Sequence, residues 1–283
     1  MASLSKELLM EILSNNNNNG PSICNPCTRK YTKLLPYDNS TVPIVIGFGY
    51  DPLIDDHKLL TYTVKILDEI DISCSLCEFQ LYCVKAKTWK KVNCNNNAFV
   101  ENYGYELFGY ANVENCLYWI VNPRLKKDNI SFIFGFDLQT EKHSELALPF
   151  DHNDEASLLM FGPPVGLEGC LCVTRRVIDT RHRWKFEIWG VKVKNYDHDH
   201  DDHNKQCWSL MFTLVPDHPS RFLCYFDIIL PIKNFRSTNQ LLLDVNHKLF
   251  LYDLETESTK PLHVPLLDDS QNFEAFLGVQ SLL

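Results

Sequence analysis

The pattern of apolar and polar positions divides the chain into a short helical segment and a long series of strands. Leu4, Leu8, Leu9, Ile12 and Leu13 recur at helical spacing and fall on one stripe of an amphipathic helix. The asparagine run and the Gly-Pro pair that follow are typical of a helix end. Because so short a helix is marginal in water, its apolar stripe needs a surface to pack on.

Beyond about residue 22 the pattern changes to short runs of β-branched and aromatic residues separated by turn-forming residues. The clearest runs are "VPIVIGFGY", "KLLTYTVKI", "EFQLYCV", "CLYWIV", "ISFIFGFDL", "CLCVTRR", "KFEIWGVKV", "WSLMFTLV", "QLLLDV" and "KLFLYDL". No helical pattern of useful length interrupts them, which argues against a parallel sheet with crossover helices. The pattern predicts an all-β sandwich, barrel or propeller.

A recurring hairpin unit favours the propeller among these three. Its copies are "ICNPCTRKYTKLLP", "LYCVKAKTWKKV", "IFGFDLQTEKHSELALP", "IWGVKVK" continued by "QCWSLMFTLVP", and "LFLYDLETESTKPLHVP". Equivalent turns start at Asn25, Cys83, Asp137, Gly190 and Asp253, at intervals of roughly 50 to 60 residues, close to the repeat of kelch-type blades. Segments such as "ENCLYWIV", "LEGCLCVTRR" and "DVNHKLFL" are predicted to be the inner strands. We therefore predict an all-β, kelch-like β-propeller.

Composition and charge narrow the classes of partner and compartment. The 283 residues, 45% of them apolar, can form one large domain with a sizeable core. A net charge of −9 argues against a nucleic-acid or anionic-membrane partner, and no apolar run is long enough to span a bilayer. Charged residues interrupt the N-terminal apolar stretch, so it is not a signal peptide. Eleven cysteines without such a signal indicate a reducing compartment, and we expect a cytoplasmic or nuclear protein.

Two features have the residue types of a metal site. Cys24 with Cys27 and Cys74 with Cys77 have the local spacing of zinc ligands, but they lie in different predicted blades. The tract "YDHDHDDHN" (196–204) concentrates His and Asp, yet it falls inside a hairpin insertion and also fits a hydrophilic loop. We favour structural cysteines and a solvated loop, and we expect no metal and no cofactor.

One basic cluster is a candidate for binding a partner. The segment "TRRVIDTRHRWK" contains Arg175, Arg176, Arg181 and Arg183. Clusters of this kind are most often solvated hairpin faces. On an exposed loop they would instead recognise an acidic partner.

Enzyme signatures are missing from the sequence. It has no Gly-x-Ser-x-Gly, no His-Glu-x-x-His and no phosphate-cradling glycine loop, and "GFGY" lacks a third glycine. Because a propeller can house an active site without these motifs, this is moderate evidence that the chain is not an enzyme. A hydrolytic propeller enzyme would need a constellation of catalytic groups on one face, and the sequence shows none.

The hairpins resemble a known family. "CNPCTRKYTKLLP" and "GFGYDPLIDDHKLL" are similar to the two leading signatures of plant F-box-associated domains, with His57 where that family usually has Tyr. "LYCVKAKTWKKV", "NVENCLYWIV" and "IFGFDLQTEKHSELALP" resemble its later segments, in the same order. The resemblance covers roughly residues 22–283. It implies a protein-interaction propeller that recognises a protein substrate for an SCF (Skp–cullin–F-box) ubiquitin ligase.

The N-terminal segment resembles the start of an F-box. "LSKELLMEILS" is similar to its first helix, with Ser5 in place of Pro, and the similarity stops at the asparagine run. The resemblance divides the chain into a remnant of that helix (1–14), a linker (15–21) and the propeller (22–283). It makes Leu4, Leu8, Leu9, Ile12 and Leu13 candidates for docking a Skp-type adaptor. With the later F-box helices missing, we expect adaptor docking to be weak. With the family's first propeller strands also missing, we expect one blade to be incomplete. The alternative is a metal- or ligand-binding propeller unrelated to ubiquitination.

Overall fold

The computed structural model describes residues 11–13, 22–25, 30–34, 44–66, 75–92, 105–123, 131–149, 162–178, 184–193, 207–215, 229–245 and 248–262. The regular structure in these ranges consists of strands and turns, without a helix. In the same ranges there is accordingly no helix of the length and hydropathy needed to cross a membrane.

The strands of the described ranges form five antiparallel sheets in which neighbours along the chain are also neighbours in the sheet. Sheet I comprises β1 (Glu11–Leu13), β2 (Ser22–Asn25) and β3 (Lys30–Lys33). Sheet II comprises β4 (Ile44–Asp51), β5 (Asp56–Ile66), β6 (Ser75–Cys83) and β7 (Thr88–Val92). Sheet III comprises β8 (Tyr105–Val113), β9 (Cys116–Pro123), β10 (Phe132–Asp137) and β11 (His143–Ala147).

Two further sheets repeat the same four-stranded meander. Sheet IV comprises β12 (Val165–Leu167), β13 (Cys170–Ile178), β14 (Trp184–Val191) and β15 (Ser209–Leu214). Sheet V comprises β16 (Ile229–Phe235), β17 (Gln240–Val245), β18 (Lys248–Asp253) and β19 (Ser258–Pro261). The first strands of sheets II to V contact one another in sequence, β4 with β8, β8 with β12 and β12 with β16. The first strand of each four-stranded sheet is therefore its inner strand.

Left-handed residues close the hairpins. Glu114 and Asn115 have φ of 49° and 69° between β8 and β9, and Glu168 and Gly169 have φ of 54° and 74° between β12 and β13. Positive φ at both central positions is typical of type I′ turns, whose twist matches that of the flanking strands. The longer turns also end in residues with positive φ, namely Asp55, Lys87, Glu141, Asn239 and Glu257. These tight turns keep each sheet a simple meander.

Alternation along the strands buries both faces of the central sheets. In β9, Leu117 and Trp119 pack in an apolar cluster with residues of sheet II. Tyr118 and Ile120, which point to the opposite face, pack with residues of sheet IV. A third apolar cluster joins sheets IV and V, and a smaller one places Leu34, just after β3, against sheet II. Each sheet thus buries a face of the next, as stacked propeller blades do.

Aromatic side chains add hydrogen bonds between consecutive sheets. Trp119 Nε1 donates to the Ile46 carbonyl of sheet II at 2.8 Å. Trp208 Nε1 donates to the carbonyl of Ala147 in sheet III at 3.0 Å. These donors are satisfied at the sheet boundaries, so large aromatic rings pack there without leaving a polar atom unpaired.

A bulge in β8 depends on glycine. The register between β8 and β9 shifts between Phe108 and Ala111, and Gly109 lies in the shifted stretch with φ of 58°. A Cβ at this position would approach the Cβ of Pro163 to 2.1 Å. Both the backbone conformation and the close approach of the segment before β12 therefore require glycine here.

The structure confirms the all-β, propeller-type prediction. All ten predicted apolar runs contain strands, and the five predicted turn starts lie at the end of the strand before the outermost one of each sheet. The assignment of inner strands was wrong, because "ENCLYWIV" and "LEGCLCVTRR" contain the second strands β9 and β13, and "DVNHKLFL" runs from β17 into β18. The true inner strands β8, β12 and β16 contain Gly109, Gly166 and Pro231, which weaken a strand pattern.

The last turn of the predicted N-terminal helix is also corrected. Glu11–Leu13 form β1, which pairs with β2 from Glu11 opposite Cys24 to Leu13 opposite Ser22. A short isolated helix gains little stability in water, whereas pairing with β2 supplies backbone hydrogen-bond partners at once. Ile12 and Leu13 therefore belong to sheet I. Residues 1–10, with Leu4, Leu8 and Leu9, lie outside the described residues.

Candidate interaction surface

Among the hairpin turns at one end of sheets II and III, three are joined by ion pairs and by hydrogen bonds that involve side chains. In a four-stranded meander, the turns after the first and the third strand lie at the same end of the sheet. The turn after β4 (52–55) and the turn after β6 (84–87) therefore lie side by side in sheet II. The turn after β10 (138–142) comes from sheet III and is bonded to sheet II, as described below. We call these three turns the three-turn surface.

The turn after β4 exposes two large aliphatic side chains. Leu53 is 75% exposed and its neighbour Ile54 is 55% exposed. The carboxylate of Asp51 accepts a hydrogen bond from the Leu53 backbone N–H at 2.9 Å, which fixes the start of the turn. Single exposed aliphatic residues are common on protein surfaces, but an adjacent pair at the tip of a fixed turn is a candidate contact for a partner.

Lys85 of the neighbouring turn is hydrogen-bonded to Asp55 at the end of this turn. Its Nζ donates to the Asp55 carboxylate at 2.6 Å and to the Asp55 carbonyl at 2.8 Å, and Tyr50 OH donates to the same carboxylate at 2.6 Å. Hydrogen bonds from Lys85 and Tyr50 lower the pKa of Asp55 below its ordinary value. The buried Asp56 accepts hydrogen bonds from the backbone N–H groups of Lys85 and Ala86. The two turns of sheet II therefore form one hydrogen-bonded unit.

Lys58 ties this unit to sheet III. Its Nζ lies 2.8 Å from Asp51, 3.3 Å from Glu141 and 2.6 Å from the Leu138 carbonyl, and its side chain is only 4% exposed. Burial disfavours the charged ammonium, but the hydrogen bond and the charge of Asp51, with those of Glu141, raise the pKa of Lys58 above its ordinary value. Lys90 pairs with the other carboxylate oxygen of Glu141. The buried lysine thus joins the start of the first turn, at Asp51, to the turn of sheet III.

The exposed charges of the three-turn surface are mostly positive, and its buried or half-buried charges are mostly carboxylates. The side chains of Lys85, Lys87, Lys90 and Lys142 are exposed. Among the carboxylates of β4, β5 and the three turns, Asp55 alone is exposed, within the described residues. Asp51, Asp56, Asp137 and Glu141 face backbone amides or lysines. The outer layer is therefore cationic around an aliphatic tip, although the whole chain is acidic.

His57 lies in β5, opposite Tyr50 of β4. Its ring stacks on Phe48, with centroids 5.3 Å apart, and contacts Tyr50 at 5.1 Å. Its Nε2 is buried without a hydrogen-bond partner. Burial lowers the pKa of His57; the charges of Asp56 and Asp55 oppose this effect, and Lys85 adds to it. The imidazole is therefore held neutral in the folded protein to a lower pH than in the unfolded chain.

We expect the His57→Tyr variant to lose part of the acid sensitivity of the protein. The unfolded histidine takes up a proton near its ordinary pKa of about 6.5, while the folded one resists it. Stability contributed by the neutral imidazole is thus present above pH ~6.5 and falls below it, by at most about 1.4 kcal/mol per pH unit. Urea unfolding from pH 8 to 5 should show a steeper loss in the wild type than in His57→Tyr. If the free energy of unfolding changed with pH in the same way in both proteins, His57 would not be a source of the acid sensitivity.

The arginine cluster predicted from sequence is divided by the sheet. Arg175 and Arg176 are successive residues of β13 and therefore point to opposite faces. Arg176 is 7% exposed and its guanidinium lies 4.6 Å from the ring centre of Trp184. Arg175 is opposite Glu187 in the register of β13 and β14. Arg181 and Arg183 lie outside the described residues.

The metal-site candidates fall mostly outside the described residues. Cys24 lies in β2 and Cys77 in β6, whereas Cys27, Cys74 and the Asp/His tract (196–204) are not described. Within the described stretches, no group of three or more His, Cys, Asp or Glu side chains is arranged to hold a metal ion.

Sequence reasoning missed Leu53 and Ile54. The available signal was "YDPLIDD", in which two large aliphatic residues occupy a turn between two strands. Turns are normally polar, so apolar residues there indicate either burial or a binding role. The family signature covers this turn but specifies no residue type at these two positions.

Comparisons with known proteins show which proteins the chain is similar to. A putative F-box/kelch-repeat protein of Arabidopsis thaliana is 26% identical over 133 residues, which are 46% of this chain and 31% of that protein. The aligned stretch thus spans about a third of the length of that relative. Among solved structures, the WD40 domain of SCAP from fission yeast is 10% identical, with a TM-score of 0.35, and the similarity covers 92% of this chain and 52% of that one. The sequence model of the F-box associated beta propeller domain matches residues 5–276. The chain belongs to the F-box associated beta propeller domain family.

Proposed function

We propose that the chain is a protein-interaction module that captures a protein through the three-turn surface and serves as the substrate-recognition part of an SCF-type ubiquitin ligase receptor. The observation that carries the proposal is the exposed pair Leu53 and Ile54 on a turn fixed by Asp51, Asp55 and Lys85. A fixed turn loses little conformational freedom on binding, so most of the contact energy remains as affinity. Membership of the F-box associated family supports an interaction role over a catalytic one, in the cytoplasm or the nucleus.

Affinity capture tests this proposal. The wild type, a Leu53→Ser/Ile54→Ser variant and an Ile178→Ser/Leu210→Ser control are used as bait in an Arabidopsis extract, followed by quantitative mass spectrometry. The control removes two aliphatic residues that are 53% and 46% exposed on β13 and β15 of sheet IV. We expect the wild type and the control to retain the same proteins in the same amounts. The Leu53→Ser/Ile54→Ser variant should retain each of them in an amount at least about tenfold smaller. Identical capture by all three would contradict the proposal.

Adaptor docking is proposed to be weak in this chain. Two of the five adaptor candidates, Ile12 and Leu13, lie in β1 and pair with β2, so they are part of sheet I. Residues committed to a sheet cannot also form the helix that the resemblance assigns to adaptor docking. In a calorimetric titration with a purified Skp-type adaptor, we expect no binding comparable to that of a protein with a complete F-box. A Kd equal to that of such a protein would overturn this part of the proposal.

The alternative function, a metal-binding propeller, can be tested directly. Cys24 and Cys27 remain the candidates with zinc spacing. Metal analysis of the purified protein should find no stoichiometric zinc. Zinc at one equivalent that is lost in a Cys24→Ser variant would favour the alternative.

A further inference from the structure

The chemistry of the three-turn surface restricts the kind of partner it can accept. Its centre is aliphatic, because Leu53 and Ile54 expose most of their side chains to solvent. A partner that covers them must therefore supply an apolar side chain, since burying a polar group there without a hydrogen bond would cost free energy.

The rim of the surface adds a second requirement. Lys87, at φ of 54° in the turn next to the aliphatic tip, is exposed and forms no ion pair within the described part of the chain. Lys142 is exposed in the third turn and likewise has no ion pair among the described residues. Lys85 and Lys90 have carboxylate partners, but their side chains remain 64% and 61% exposed. Four lysines of the three-turn surface and of the adjoining strand β7 therefore face solvent.

The carboxylates beneath these lysines do not neutralise the outer layer for an approaching partner. Asp51 and Asp56 are 2% and 4% exposed and are directed at Lys58 and at backbone N–H groups. Asp55, the exposed carboxylate of the tip, is already bonded to Lys85 and Tyr50. Because exposed charges act mainly within about 8 Å in physiological salt, the lysines at the rim, not the net charge of −9, decide what the surface attracts.

We propose that the three-turn surface binds an acidic peptide segment that carries a large apolar side chain. The apolar side chain packs on Leu53 and Ile54, and the flanking carboxylates lie beside Lys87, Lys142 and the exposed ends of Lys85 and Lys90. This inference rests on the proposed function and names the class of partner for the same surface. Complementary charge chiefly guides encounter and selects the partner, while the apolar contact supplies most of the affinity.

The test uses the full chain and three pools of fluorescein-labelled synthetic peptides. The first pool has a central Leu or Phe among Asp, Glu, Ser and Gly; the second replaces the central residue with Ser; the third replaces Asp and Glu with Lys. Binding is measured by fluorescence anisotropy. We expect the wild type to bind the first pool at least about tenfold more tightly than the other two, and higher salt to weaken that binding.

Matched variants test separately the aliphatic pair and the lysines of the surface. Leu53→Ser/Ile54→Ser should reduce binding of the first pool to the level of the Ser pool, and Ile178→Ser/Leu210→Ser should leave it unchanged. Lys87→Glu should weaken the acidic pool several-fold and improve the basic pool. Because the substituted side chains are exposed, each variant should keep the wild-type thermal midpoint, which is measured in parallel.

Each remaining outcome overturns the inference. The three pools could bind the wild type equally or not at all, or a preference for the first pool could survive both Leu53→Ser/Ile54→Ser and Lys87→Glu. If capture from the extract still depends on Leu53 and Ile54 in these cases, the proposed function is supported and the acidic class of partner is contradicted. If capture does not depend on them either, the three-turn surface is not the binding surface and the proposed function is contradicted as well.

Discussion

A Lys58→Met variant is expected to lose about 3 to 5 kcal/mol of its free energy of unfolding. Lys58 is 3% exposed and is bonded to Asp51, Glu141 and the Leu138 carbonyl. Methionine fills a similar volume but leaves the Asp51 carboxylate buried, with the Leu53 backbone N–H as its remaining partner among the described residues. Removing one member of a buried ion pair is far more costly than removing an exposed pair. Chemical denaturation monitored by circular dichroism measures the loss.

Two further variants show whether the buried charge is the cause. Lys85→Met removes a lysine whose partner Asp55 is equally exposed, so its loss should stay within about 1 kcal/mol. Adding Asp51→Asn to Lys58→Met should recover part of the stability, because the unpaired carboxylate is then gone. Equal effects of Lys58→Met and Lys85→Met would show that Lys58 does not hold sheets II and III together.

A Trp119→Ala variant is expected to lose about 3 to 5 kcal/mol as well. Trp119 is 2% exposed and packs between sheets II and III, with its ring centre 6.0 Å from that of Phe134. The substitution opens a cavity at this boundary and also removes the hydrogen bond to the Ile46 carbonyl. Domains of this kind are stable by only about 5 to 15 kcal/mol, so the variant should unfold at a much lower denaturant concentration.

The graded variant Trp119→Phe separates packing from hydrogen bonding. It keeps an aromatic ring but cannot donate to the Ile46 carbonyl, so a loss of about 1 to 2 kcal/mol is expected. A Trp119→Ala protein within 1 kcal/mol of the wild type would show that sheets II and III do not share a core, which would contradict the stacked arrangement.

Much of the fold could be predicted from sequence because its signals are local. The second and third strands of the sheets are continuous apolar runs, and the turns before the outermost strands start at recurring polar residues such as Asp137 and Asp253. The carboxylates of both accept hydrogen bonds from backbone N–H groups in the turn that follows. The inner strands could not be predicted as well, because Gly109 and Pro231 interrupt their apolar pattern where the register with the second strand shifts.

The N-terminal segment shows where periodicity misleads. Ile12 and Leu13 fit a helical stripe, but a stripe of this length also fits a short strand once a partner strand is available. The pairing of β1 with β2 is a contact across the asparagine run, which local pattern cannot show. Tertiary pairing therefore overrode the local preference at Glu11–Leu13.

The candidate surface could be predicted only in part. The sequence shows two aliphatic residues in a turn, yet their exposure depends on how Asp51, Lys85 and Lys58 hold that turn. The contact between Lys58 and Glu141 joins residues 83 positions apart. Conversely, Arg175 and Arg176 look like one basic cluster in sequence, but the strand places them on opposite faces.

Site-specific photo-crosslinking tests the central claim most directly, namely that the tip formed by Leu53 and Ile54 touches the captured protein. A photoreactive phenylalanine analogue is placed at position 53 and, in a control protein, at position 210 on β15. The account predicts that the protein carrying the analogue at position 53 forms a covalent adduct with the proteins retained in affinity capture, and that the control does not. Equal adducts from both positions, or adducts from position 210 alone, would contradict it.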